Sequence, residues 1–403
     1  MKVLMLGWEL PPHNSGGLGV ACYQLCEALG SRDDVDLEFI LPYEADHNID
    51  FMEVSAARPV GVHEIIKSGI AYDSYKYTYE DGHEEWHDVY TQQAMFEQAV
   101  ARLAFTKEFD VVHAHDWLTF RGAMRLKEAT GCPIVLHVHS VESDRAGGGY
   151  GNPLVRQIEQ EALQLADQVV AVSELTRQAI IRDYDVNPAQ ISVVHNSLDH
   201  VSMAPLSSRN SYEYLTLLKQ QGYKVITNVG RLTMQKGITN LLRAAQEVVA
   251  REPKTMFLIV GNGDQYHELI EMSAALGIGR NVLFADFQRG KQWRDAFAIA
   301  DLFVMPSVSE PFGLTPLEAT AYGAPTLVTR QSGVSEVLQN CLKVDFWDVH
   351  EMANQILAVV QHDALRRELT AGAYRELKSL SWAKPAERIT EIYQRFATAG
   401  VPA

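Results

Sequence analysis

Two successive doubly wound α/β domains, Rossmann-like in build and facing a cleft, are the architecture that this sequence predicts. Three observations predict it. Short apolar runs alternate with amphipathic stretches, and strands alternating with helices imply a parallel sheet. That rhythm lapses between Asp199 and Gly222, where Ser, Asn and Pro surround one polar helix-like piece, and then resumes. Three strands run into glycine-bearing loops that open helices, and open α/β sheets bind ligands at the carboxyl ends of their strands. At 403 residues the chain is long enough for two cores.

The first half repeats strand, loop and helix. Lys2 to Gly7 is an apolar strand, and Gly16-Gly17-Leu18-Gly19 after it opens a helix over Val20 to Leu29. Val35 to Leu41 is the second strand. Strand-like pieces over Gly61 to Ile66 and Tyr72 to Tyr79 suggest a hairpin-like excursion. Gln92 to Lys107 carries apolar residues at helical spacing. Val111 to His115 is a strand ending in histidines and Asp116, and Ile134 to His139 is another ending in a histidine. Leu154 to Ala166 is an amphipathic helix. Gln168 to Ser173 is a strand whose serine caps a helix over Glu174 to Asp183, and Ile191 to Asn196 closes the half.

After the lapse, strands are expected over Lys224–Val229, Met256–Val260, Val282–Ala285, Leu302–Met305, Pro325–Val328 and Cys341–Val344. Helices fall around Leu241 to Val249 and over Gln265 to Leu276, Lys291 to Ile299 and Val334 to Leu338. The chain ends in three more, over Asp348 to His362, Ala364 to Leu377 and Pro385 to Ala399.

Hydrophobic residues at 47% and charged residues at 21% describe an ordinary globular protein. The formal net charge of −16 argues against a nucleic-acid partner, because phosphate binding needs a basic face. Any cationic site must be local. No apolar run approaches the ~20 residues of a membrane span. The apolar run at the N-terminus is too short for a secretory signal. Cys22, Cys26, Cys132 and Cys341 occupy helix-like or strand positions without a second metal-spaced pair, so core thiols in a reducing cytosol are expected.

The chemistry is concentrated in the loops. Ser309-Glu310-Pro311-Phe312-Gly313-Leu314-Thr315-Pro316-Leu317-Glu318 follows the strand at Leu302, and Glu318 begins a short helix closed by Gly323 and Pro325. Two carboxylates with seven residues between them flank a loop whose small residues can turn backbone N–H groups toward an anion. Each carboxylate can accept hydrogen bonds from a different set of hydroxyls on one ligand. In Gly230-Arg231-Leu232-Thr233-Met234-Gln235-Lys236-Gly237, Arg231 and Lys236 put two permanent cations beside a helix N-terminus, which suits a diphosphate.

Taken in order, these motifs resemble a retaining glycosyltransferase of the GT-B fold and family 4 type, and particularly its glycogen-synthase-like members. Further landmarks are Trp8-Glu9-Leu10-Pro11-Pro12-His13, the stretch from His137 through His139 to Arg145, Ala171-Val172-Ser173, and Val194-His195-Asn196-Ser197-Leu198-Asp199. The resemblance covers nearly the whole chain. It implies an N-terminal acceptor domain over 1–205, a donor domain over 206–380, and a final helix within 381–403 that crosses back onto the first domain. It implies transfer of a hexose, glucose, from ADP-glucose, UDP-glucose or another nucleotide sugar to a glycan or small hydroxyl acceptor. No cofactor or metal is obligatory, and the enzyme is expected as a cytoplasmic monomer or homodimer. Carried over residue by residue, Glu310 meets the donor sugar's hydroxyls and Glu318 the ribose. The amides of Phe312, Gly313, Leu314 and Thr315 meet sugar and distal phosphate. Arg231 and Lys236 clamp the diphosphate, Gly17 and Gly230 let backbone approach it, and His139 lies near the sugar. Front-face attack by the acceptor hydroxyl is the family's expected route. Where glycogen and starch synthases of the bacterial type carry a lysine before the glycine pair, this chain has Ser15, which sets elongation of glucan in doubt.

Other features admit plainer readings. His113, His115 and Asp116 suggest a metal cluster, yet no third and fourth ligand follow at ligand spacing. Gly261-Asn262-Gly263 imitates a dinucleotide fingerprint, but its sixth position is Tyr266. Glu9, Asp144 and Arg145 are candidates for acceptor hydroxyls. Tyr72, Tyr75, Tyr77 and Tyr79 alternate as strand residues and suit packing better than sugar stacking. The competing functions are a transferase for a lipid-linked or cell-surface acceptor, and a sugar-nucleotide-binding protein without catalysis.

Overall fold

The computed structural model describes residues 1–14, 16–67, 74–199, 203–207 and 209–399. Ser15 and Tyr72 lie outside the described residues. Two compact units emerge. One comprises Met1–Glu142, Gly151–Asn196 and Trp382–Ala403, and the other Ser143–Tyr150 and Ser197–Ser381.

The first unit holds strands β1 (Lys2–Leu6), β2 (Asp36–Leu41), β3 (Glu53–Ala56), β4 (Val62–Lys67), β5 (Tyr75–Tyr79), β6 (Glu84–His87), β7 (Val111–His115), β8 (Ile134–Val138), β9 (Gln168–Ala171) and β10 (Ile191–Val193). Seven of them form a parallel sheet in the order β10-β9-β8-β7-β1-β2-β3. Every residue of β7 and β8 is buried, which is why these strands read as unbroken runs without alternation. Strand β1 pairs with β2 on one side and β7 on the other, so the strand order reverses between β1 and β7. The excursion is a separate antiparallel sheet, β4-β5-β6, in which Tyr75 and Tyr77 are fully buried. Tyr75 accepts a hydrogen bond of 2.8 Å from Trp8 Nε1 and so packs against the opening motif, while Tyr77 donates to Gln92 Oε1.

The final helix, Ala383–Ala399, packs on helix Gly17–Gly30 within this unit. Trp382, 2% exposed, anchors its start and donates from Nε1 to Gln24 Oε1 at 2.8 Å. Burial of an indole of this size stabilises the docking by about 3 kcal/mol or more. Helix Trp117–Thr130, between β7 and β8, was not among the expected elements. Its start lacks a side-chain cap, because Asp116 sits at φ 58° with its carboxylate engaged elsewhere.

The second unit adds β11 (Lys224–Val229), β12 (Thr255–Val260), β13 (Val282–Phe284), β14 (Leu302–Met305), β15 (Thr326–Thr329) and β16 (Leu342–Val344). They form a parallel sheet in the order β13-β12-β11-β14-β15-β16, reversing between β11 and β14. Ile238, Leu241, Leu242, Ala245 and Val248 put the apolar stripe of helix Ile238–Arg251 into this core, beside helix Val349–Gln361. The stretch from Asp199 to Gly222 is not wholly a tether. Its helix Glu213–Gln220 packs on β11 through buried Leu215, and Ser211 donates to Asp295 Oδ2 from N at 2.6 Å and Oγ at 2.7 Å. Among the described residues no helix is long and apolar enough to cross a membrane.

Candidate active site

In the second unit, the loops leaving β11 and β14 meet. Gly237, at φ 65°, caps helix Ile238–Arg251, and a Cβ there would lie 2.2 Å from Pro306 O. Only glycine allows this approach. Val308 N donates to Gln235 O at 2.9 Å and fixes the same pair of loops. Lys236 Nζ thereby reaches Glu310 Oε2 in an ion pair, and Ser307 Oγ donates to the same oxygen at 3.2 Å. The Glu310 loop is held from its other side by bonds from Glu310 N to Gln331 O, Gly333 N to Glu310 O and Val334 N to Phe312 O. Gly313, at φ 92°, lies against Met305 and Glu310. Among the described residues nothing accepts from the amides of Gly313 or Leu314, so two N–H groups stand ready beside the Glu310 carboxylate.

Helix Thr315–Ala321 begins three residues before Glu318, correcting the expected start. Glu318 therefore sits in its first turn, 9% exposed, and burial pushes its carboxyl up to about 8. Arg231 is exposed, with no hydrogen bond or ion pair among the described residues. Gly230 and Gly261 touch backbone to backbone, a Cβ on Gly261 falling 1.8 Å from Gly230 O. The Gly261-Asn262-Gly263 turn thus buttresses the Arg231 loop, and Leu232 N donates to Asn262 O at 2.9 Å. Asp144 and Arg145 belong to this unit, and Ser309 Oγ donates to Asp144 Oδ1 at 2.6 Å.

In the first unit, parallel register does what chain spacing does not. His115 lies opposite His137, and the rings of His113, His115, His137 and His139 stack at 4.4 to 5.3 Å between centroids. Chain spacing offers His113 and His115 no further ligand, whereas the neighbouring strand brings His137 beside them. Burial drives His113, His115 and His137 far below the usual imidazole range, and His139 down to about 3, so all four are neutral at pH 7. His113 Nε2 meets His137 Nδ1 at 3.2 Å, His115 Nδ1 meets His139 Nε2 at 2.9 Å, and Tyr393 Oη bonds His113 Nδ1. Asp116 Oδ1 accepts from His139 N at 2.7 Å and Ser140 N at 3.3 Å, fixing the turn after β8.

Two sets, His113 with His115 and His137, and Cys22 with His115 and His139, bring ligand atoms within 4.8 Å of one another. Neutral imidazole is the ligating form. Burial keeps the Cys22 thiol protonated, which weakens it as a ligand. Gly17 opens the first helix at the surface. Glu9 is buried, 4% exposed, against Gly19, whose Cβ position lies 3.1 Å from Glu9 Cγ. The expected residues thus fall into two groups, Arg231, Lys236, Glu310 and Glu318 in the second unit after β11 and β14, and Glu9, Gly17 and His139 in the first unit after β1 and β8. The stack around His139 and the Lys236–Glu310 pair became visible only in three dimensions.

Two family models account for most of the chain. One, Glycosyltransferase Family 4, matches residues 15–201, and the other, Glycosyl transferases group 1, matches residues 216–376. A D-inositol 3-phosphate glycosyltransferase of Rhodococcus jostii is 30% identical over 329 residues, 77% of this chain and 72% of that protein. The Anabaena HepE structure in complex with UDP and glucose superposes with a TM-score of 0.72 at 19% identity, covering 98% of this chain and all of that one. Sucrose-phosphate synthase from Thermosynechococcus elongatus gives a TM-score of 0.76 at 18% identity, over 99% of this chain and 100% of that one. With both halves matched in order, the chain belongs to the GT-B glycosyltransferases of the family 4 type.

Proposed function

We propose that this glycosyltransferase moves glucose from a nucleoside-diphosphate sugar, with retention at the anomeric carbon, onto a hydroxyl of a small polyol or glycan. One observation carries the reading: at a single strand reversal, Lys236 pairs with Glu310 beside the free amides of Gly313 and Leu314. That set can hold a sugar by its hydroxyls and a diphosphate by its charge. Negative charge grows on the diphosphate as the glycosyl bond breaks, and fixed N–H groups and a cation act there on the transition state. Glu318 supplies the carboxylate for the ribose, and Arg231, unpaired among the described residues, supplies a second cation. His139 is the candidate for a sugar contact in the first unit, and Glu9, Asp144 and Arg145 are the candidates for the acceptor.

HepE has been solved with UDP-glucose and a starch synthase of the same fold with ADP, so either nucleotide is a candidate for the donor. The relatives named for D-inositol 3-phosphate favour a compact, phosphorylated polyol as acceptor over a glucan end. The test is a thermal-unfolding screen of ADP-, UDP- and GDP-sugars, with Lys236→Ala as control. A donor at a hundredfold excess over its Kd raises stability by about 2.7 kcal/mol. A shift confined to one nucleotide and lost in Lys236→Ala supports the reading, and no shift with any nucleotide overturns it. The anomeric configuration of the product, read by NMR coupling constants, decides retention.

A further inference from the structure

The four stacked histidines leave two nitrogens over. Among the described residues, His115 Nε2 and His137 Nε2 are fully buried and have no hydrogen-bond partner. Each is either an orphaned N–H or a bare lone pair. A buried N–H without an acceptor is the rarer and costlier of the two. His115 therefore carries its proton on Nδ1. For His137 either choice strands one buried donor among the described residues, its own N–H or the O–H of Tyr393, so the same rule does not fix its tautomer. His115 donates from Nδ1 to His139 Nε2, across 2.9 Å. Since His139 is neutral and its Nε2 accepts, its own proton must lie on Nδ1. No described group bonds His139 Nδ1, and His139, unlike His113, His115 and His137, is partly exposed.

We propose that His115 is a positioning residue that locks His139 as its Nδ1–H tautomer, so that His139 meets its ligand as a hydrogen-bond donor and not as a base. This rests on the proposed role of His139 toward a sugar ligand. A donor in that role can hold a sugar hydroxyl oxygen while positive charge develops on the ring, without removing a proton from it. Asp116 contributes the second constraint, through the backbone N–H of His139.

The test separates the tautomer from the site. Long-range proton–nitrogen NMR on the full chain labelled at histidine, with His139→Gln used to assign the signal, reads which nitrogen of His139 is protonated. A protonated Nδ1 and bare Nε2 are expected. A proton on Nε2 overturns the proposal without any variant being made. His115→Phe keeps a stacking ring but removes the donor, and His115→Asn returns an N–H near the position of Nδ1. In His115→Phe the single His139 tautomer is expected to give way to a mixture. The kcat falls about tenfold to a hundredfold with KM for the donor little changed, and His115→Asn recovers most of both. Unchanged tautomer and kcat in a folded His115→Phe protein overturn the proposal. If His139→Gln leaves transfer untouched while the tautomer is as expected, it is the role of His139 toward the sugar that fails and not the lock.

Discussion

At the carboxyl ends of β7 and β8 four imidazoles are stripped of charge by burial, whereas at the ends of β11 and β14 Lys236 and Glu310 form an ion pair. The ion pair lies at the reversal of strand order in its sheet and the histidine stack one strand to the side of the reversal in the other, so the two parallel sheets offer comparable ground. What differs is the material placed there. In the first unit the rings hydrogen-bond one another and present neutral donors and acceptors. In the second, cations and carboxylates gather where a diphosphate would need them. One fold therefore serves two tasks through its loops, and function has to be argued from those loops.

The sharpest way to break that contrast is to remove the cation. Lys236→Ala should lower kcat by about 10² to 10³, or about 2.7 to 4 kcal/mol of transition-state stabilisation. Initial rates at saturating donor check it. A loss below tenfold would mean that the charge of the second unit does not act on the leaving group. Gly237→Ala attacks the backbone that delivers Lys236. With φ at 65° and Pro306 O 2.2 Å from the new Cβ, it should cost about 3 kcal/mol or more. Denaturant unfolding followed by a second-unit probe such as Trp293 reads the loss.

How far the sequence reveals this contrast depends on the kind of signal. The charged loops announce themselves, because glycines and cations at a strand-to-helix junction are local features, as at Gly230 to Gly237. The strands do so too, since β7, β11 and β14 are short apolar runs. The ion pair of Lys236 with Glu310 joins residues 74 apart, and no spacing rule predicts it. The histidine stack is subtler. His113 with His137, and His115 with His139, are each 24 apart, and the pairing follows once β7 and β8 are aligned in parallel. Two His-x-His strand ends at one interval were the signal available for it. Helix Trp117–Thr130 escaped because its start carries no side-chain cap, Asp116 turning its carboxylate to His139 N. Nor does composition reveal that Ser143–Tyr150 groups with the second unit, since that follows from contacts such as Ser309 with Asp144.

Glu318 blurs the division, being a second-unit carboxyl that burial holds neutral. Its folded pKa of about 8 lies above the ordinary value of 4.5. Between those values the folded protein keeps a proton that the unfolded chain has released. Stability must then fall as pH rises through that window, by about 1.4 kcal/mol per unit, and level off above pH 8. Glu318→Gln should flatten the slope and leave the protein more stable than the parent at pH 9, as urea titrations at several pH values would show. A donor whose ribose hydroxyls donate to Glu318 prefers the ionised form. Its binding should therefore release a proton at pH 7, and calorimetry in buffers of different ionisation enthalpy counts it. A slope unaltered by Glu318→Gln would place the titration elsewhere.

Arg231 gives the smallest expected effect and the finest test. It is exposed and, among the described residues, paired with nothing, so removing it leaves no partner stranded. An exposed cation acts through water and salt, and Arg231→Ala should cost about tenfold in kcat/KM at low ionic strength, shrinking as salt is added. Lys236, part-buried against Glu310, should lose far less of its effect to salt. The two salt profiles measured side by side decide whether the second unit holds one diphosphate clamp or two unequal parts. Parallel profiles would show that both cations meet the ligand out of water's reach, and that Arg231 swings inward when the donor binds.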